Sequence, residues 1–139
     1  MHASESGRVV LRVLLIIVLA LVVAVGTLFA LDWKARTDDE VRVIEVPFLG
    51  GAGGITAGRI IFVHEGRADD ADLLAHELVH VCQWDEGGLA FLWDYTTEYA
   101  SNLAELRDTE EAYREISFEE QARAGDSNCD LESFALPDS

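Results

Sequence analysis

The sequence predicts an α+β protein in two parts: one N-terminal transmembrane helix, then a small domain in which a short β-hairpin or sheet packs on two or three helices. Three observations carry this. An uncharged apolar run fills Val13 to Leu31, and two β-branched stretches follow, Val41 to Phe48 and Arg59 to Val63. From Asp69 onward apolar residues recur at helical spacing, with a break at Gly87-Gly88. The chain divides into a short N-terminal tail (1–12), an anchor (13–31), a linker (32–40), a folded domain (41–125) and a C-terminal tail (126–139).

As a helix, the anchor run spans about 28 Å, close to the hydrocarbon thickness of a bilayer. Arg8 and Arg12 precede it, and Trp33, Lys34 and Arg36 follow at interface depth. A cleaved signal peptide carries a shorter apolar core of about 7–15 residues, so an uncleaved anchor is expected, although Ala24-Val25-Gly26 or Ala30 offers small residues for a cut. Only Glu5 offsets Arg8 and Arg12, whereas Asp32, Asp38, Asp39 and Glu40 dilute Lys34 and Arg36. This asymmetry favours a single-pass protein of the cell membrane with its domain outside the cytoplasm. The formal net charge is −16, and 25 of the 26 acidic residues lie beyond Leu31. Such a domain is not a nucleic-acid binder and is not drawn flat onto an anionic membrane.

Val41 to Phe48 is read as a strand, the Gly50-Gly51-Ala52-Gly53-Gly54 run as a flexible loop, and Arg59 to Val63 as a second strand. The glycine run is no phosphate cradle, since no Lys-Ser/Thr pair and no helix follows it. The two strands are expected as a hairpin or as neighbours, with Ile60 to Val63 as a possible exposed edge and His64 as a solvent-exposed loop residue. Asp69 to Glu86 reads as an amphipathic helix with Leu73, Leu74, Leu78, Val81 and Trp84 on its apolar side and Asp69, Asp70 and Asp72 at its N-terminus. A second long helix runs from Leu89 to Arg107, and its stripe of Phe91, Leu92, Tyr95, Tyr99, Leu103 and Leu106 reads as core. Thr109 to Arg114 and Phe118 to Ala124 read as short helical pieces. Cys82 and Cys129 are compatible with one disulfide outside the cytoplasm.

The chemistry concentrates in His76-Glu77-Leu78-Val79-His80. Residues four apart on a helix differ by about 40° in direction and about 6 Å along the axis, so His76 and His80 can aim at one metal ion. Glu77, about 100° round the helix from His76, is placed instead to act as a base on a metal-bound water. A catalytic zinc site takes three protein ligands and leaves one position open. No histidine follows His80, so the third ligand must be a carboxylate: Glu98, Glu105, Glu110, Glu111, Glu115, Glu119, Glu120 or, as an outsider, Asp94.

His76-Glu77-Leu78-Val79-His80-Val81-x-Gln83, followed by Tyr113-Arg114-x-Ile116-x-Phe118-Glu119-x-x-Ala122, resembles the small bacterial and archaeal zincins of the glutamate-ligand, gluzincin-like type. The resemblance covers roughly Ile60 to Ala124 and implies a minimal zincin domain. It implies Zn²⁺ held by His76, His80 and Glu119, with Glu77 as general base. Ser117 and Gln121 depart from the usual pattern, which commonly has Pro and a second acid there. Tyr99, Tyr113 or His64 could supply an oxyanion donor, and Asn102 or Asp94 could orient a ligand histidine. The expected function is a membrane-anchored zinc metallopeptidase acting on a peptide or protein substrate. The alternative is a non-catalytic, membrane-tethered zinc-binding or interaction module. Oligomeric state is not legible.

Overall fold

The computed structural model describes residues 5–38, 40–49 and 53–134. Most of the glycine run read as a loop, and the last five residues, lie outside the described residues. Among the described residues the fold is α+β, with five α-helices and one three-stranded sheet.

Helix α1, Glu5–Asp38, contains the apolar run, and its stretch Arg12–Asp38 is long and apolar enough to cross a membrane. The helix does not stop at Leu31. The segment expected as a linker is helical as far as Asp38, because its last turns pack on the domain. Ala35 is fully buried, the Asp32 carboxylate accepts the Arg59 backbone N–H at 2.7 Å, and Arg36 pairs with both Asp32 and Asp85 at 2.9 Å. Lys34 and Asp38 pair along the outer face.

The sheet has β1 (Arg42–Val46), β2 (Gly54–Ala57) and β3 (Ile60–His64) in the order β1-β3-β2. β1 runs parallel to β3, and β2 pairs antiparallel with it. The two strands read from sequence are thus neighbours, as one of the two expectations had it, and the hairpin is β2–β3. Ile60 to Val63, offered as an edge, is the central strand instead: Ile60, Ile61 and Val63 are fully buried, as expected of a strand paired on both sides. The exposed edge on the α2 side is β2, whose Gly-Ile-Thr-Ala composition gives little strand signal. Its turn onto β3 places Gly58 at φ 65°, and a Cβ there would lie 2.2 Å from the Asp32 Oδ1 of α1.

Helix α2, Ala71–Gly87, is capped by Asp70, whose carboxylate accepts the Leu73 N–H at 3.0 Å. Its Leu74, Leu78 and Val81 pack on Val41, Ile61 and Val63 of the sheet side. Each such side chain removed from water contributes about 1.5–3 kcal/mol, so this helix–sheet contact is the main source of stability. Gly88, at φ 53°, closes α2 through its N–H to the Trp84 carbonyl and starts α3, Leu89–Leu106. α3 buries none of its residues fully, and Phe91, Leu92, Tyr95 and Tyr99 of the stripe read as core line one wall of a cleft instead. α4, Thr109–Arg114, is capped by Asp108, and α5, Ser117–Ala124, follows. Beyond α5 the chain does not trail away: Leu131 and Phe134 pack on the core, and Cys129 is joined to Cys82 of α2, with Cα atoms 6.0 Å apart.

The disulfide closes a loop of sequence separation 47. By the chain-entropy model its loss costs about 2–4 kcal/mol. Cys129→Ser is expected to lower the unfolding free energy of the domain by that amount in urea titrations, and thiol counting of the unreduced parent should find none free. Two reactive thiols in the folded parent would contradict the pairing.

Candidate metal centre and cleft

Helix geometry brings His76 and His80 one above the other on α2, and α5 delivers Glu119 against them. The His80 Nε2 lies 3.2 Å from the His76 Nε2 and 3.2 Å from the Glu119 Oε1, while the His76 Nε2 lies 3.3 Å from the Glu119 Oε2. Three ligands bound tetrahedrally at about 2.0–2.1 Å would be separated by about 3.3 Å from one another. The three side chains thus form a group that could hold a metal ion. Glu119 is only 2% exposed, and its Oε2 is buried without a hydrogen-bond donor. A buried carboxylate oxygen without a donor is costly, and three lone-pair donors facing one point repel unless a proton or a cation lies among them. This donor set of two imidazoles and one carboxylate suits zinc. Glu120, the next residue, faces solvent.

The tautomer of His80 follows from its neighbour. The Gln83 amide nitrogen donates to the Phe118 carbonyl and to the Gln121 Oε1, both at 3.1 Å. Its Oε1 is therefore free to accept from the His80 Nδ1, 2.8 Å away, which leaves the His80 Nε2 lone pair aimed at the centre. Neither residue considered from sequence fills this role. Asn102 donates to the Ala112 carbonyl at 3.3 Å and Asp94 is exposed on α3. Gln83 stood at helical spacing from His80 and could have been found on that ground.

Tyr95 was also missed, because it belongs to the stripe read as core. Its hydroxyl donates to the Glu119 Oε1 at 2.7 Å. Glu98 of α3 accepts the Ser117 N–H at 3.0 Å and the Ser117 hydroxyl at 2.8 Å, and so fixes the start of α5 two residues before Glu119. Burial works against ionisation of Glu119, but the His76, His80 and Tyr95 side chains against it outweigh that and hold the carboxyl well below its ordinary range. For His80, desolvation lowers the pKa, yet its bonds to Glu119 and Gln83 leave it raised. Tyr95 and Tyr113 are raised by burial and by the same carboxylate.

Glu77 is buried beside the pair of histidines, and the Thr56 hydroxyl of β2 donates to its Oε2 at 2.6 Å. Burial is the main effect on this carboxyl and raises its pKa. A Cβ on Gly54 would lie 2.6 Å from the Glu77 Oε1, so the strand edge can approach the carboxylate this closely only with glycine there. The whole group opens on a cleft of about 720 Å³ between β2, α2, α3 and α4, lined also by Phe91, Tyr99 and Tyr113. Of the three oxyanion-donor candidates, Tyr99 and Tyr113 line this cleft, while His64 is exposed at the end of β3 and does not. Cys82, near Glu86 and Cys129, is committed to the disulfide.

If Gln83 sets the direction of His80, Gln83→Leu should weaken zinc binding about 10- to 100-fold in a chelator-competition titration. Unaltered affinity would show that His80 needs no such support.

A family model described as the eCIS core domain matches residues 49–88, from the end of the β1 segment through the β2–β3 hairpin and α2. That segment holds His76, Glu77 and His80 but not Glu119, it is under a third of the chain, and the description names no activity or metal. No curated protein and no solved structure matches the chain.

Proposed function

We propose that this chain is a membrane-anchored zinc metallopeptidase of the minimal zincin type, with its domain on the extracytoplasmic side. The observation that supports the reading most is the convergence of His76, His80 and Glu119 at 3.2–3.3 Å beside a buried Glu77 on an open cleft. Among the described residues no fourth His, Cys, Asp or Glu joins the group. A three-ligand site leaves a position for water, whereas a purely structural zinc site is closed by four protein ligands. That distinction favours catalysis over the non-catalytic module. The disulfide fits a domain in an oxidising compartment.

A zinc ion held by the three side chains would supply Lewis acidity, lowering the pKa of a water and polarising a scissile carbonyl. Glu77 accepts the proton of the attacking water as the C–O bond forms, and its burial makes it a stronger base than an exposed glutamate. It then hands that proton to the amide nitrogen as the C–N bond breaks, releasing an amine and a carboxylic acid. Tyr113 or Tyr99, both on the cleft wall, donates a hydrogen bond to the developing oxyanion. Thr56 holds Glu77 in place, and Gln83 and Tyr95 hold His80 and Glu119.

The test is peptide hydrolysis by the full chain in mild detergent, read by mass spectrometry on a mixed peptide set. The parent should cleave and lose activity to a chelator. Glu77→Gln should keep its zinc and lose about 10²–10⁴-fold in rate, the range expected for a general base. Equal turnover in that variant, or none in a zinc-loaded parent, would contradict the proposal.

A further inference from the structure

Leu89 and Trp93 stand one helical turn apart at the start of α3, 77% and 70% exposed, with Leu92 beside them. Large apolar side chains clustered in this way usually have a surface that covers them. The ion pairs at the end of α1 indicate which surface. Asp32 is the first residue after the apolar run, and Arg36 reaches back to it and across to Asp85, at 2.9 Å in each case. Arg59, whose N–H binds Asp32, also pairs with Asp85 at 2.8 Å. Asp85 lies near the end of α2, four residues before Leu89. The α2–α3 corner is therefore held level with the last apolar turn of α1, where Trp33 is 65% exposed.

We propose that the first turns of α3 rest on the bilayer that α1 crosses, with Leu89 and Trp93 seated in its interfacial layer beside Trp33. The inference rests on reading α1 as a membrane span. Tryptophan and leucine are the side chains that settle at this depth, the indole N–H facing the headgroups and the ring facing the chains. Glu86 and Asp94 flank the patch and are exposed, so neutral phosphatidylcholine headgroups suit it better than anionic ones.

The full chain is reconstituted in phosphatidylcholine vesicles carrying a nitroxide at a shallow position. Tryptophan emission is compared in the parent, Trp93→Phe and Trp33→Phe, both exposed positions whose change leaves the core intact. The difference between parent and each variant isolates one indole. Both indoles should be quenched by the shallow lipid label and shielded from aqueous acrylamide, and Leu89→Glu should abolish the lipid quenching of Trp93 alone. Trp33 quenched by lipid with Trp93 quenched only by acrylamide would overturn the inference while leaving the membrane span standing. Neither indole quenched by lipid would overturn both.

Discussion

A single carboxylate placed against two imidazoles is the constraint around which this small domain is arranged. Glu119 is almost fully buried, its ionised form is favoured by the His76, His80 and Tyr95 side chains against it, and its Oε2 has no hydrogen-bond donor. Burying a charge in so small a body is expensive unless its partners are held rigidly. The surroundings provide that. Gln83 ties α2 to α5, Glu98 ties α3 to α5, and buried Ile116 anchors the turn that leads into α5. The helices α3 and α4, which bury little of themselves, close the cleft over the group rather than build a core.

Away from the cleft, α2 packs on Val41, Val43, Ile61 and Val63 and, through Asp85, meets the last turns of α1. The same helix that presents the two histidines receives Arg36 of α1 at Asp85 and the C-terminal segment at Cys82. α1, sheet and tail thus all meet at α2. The ion-pair cluster is only partly exposed and is shared among four side chains, a setting in which such pairs hold geometry even when their individual energies are small. The proposed centre is consequently held at a set height relative to α1, not carried on a flexible tether.

Much of this was legible in the chain. A continuous apolar run marked α1 and apolar periodicity marked α2, and Asp69, Asp70 and Asp72 marked the capped start of α2, where Asp70 is the cap. The short helical pieces read at Thr109 to Arg114 and Phe118 to Ala124 correspond to α4 and, one residue longer at its start, α5. The motif pointed to His76 and His80 because their relation is local. What was hidden was non-local. Strand β2 is four residues of weak strand preference, made by its pairing with β3 and by the approach of Gly54 to Glu77. The helical continuation through Ala35 depends on contacts with residues far along the chain. Tyr95 sat in a stripe whose periodicity is the same for a core face and for a cleft wall, so spacing alone could not separate the two. The two cysteines pointed to the bridge between Cys82 and Cys129, but not to the packing of Leu131 and Phe134 on the core beside it.

Two imidazoles and one carboxylate of this chain are proposed to gather around zinc. Metal content and zinc-edge X-ray absorption on the purified full chain test it most directly. About one zinc per chain is expected, with a first shell of two imidazole nitrogens and two oxygens at about 2.0–2.1 Å, one oxygen from Glu119 and one from water. A chain that binds no zinc after reconstitution, or a first shell closed by four protein ligands, would contradict the account.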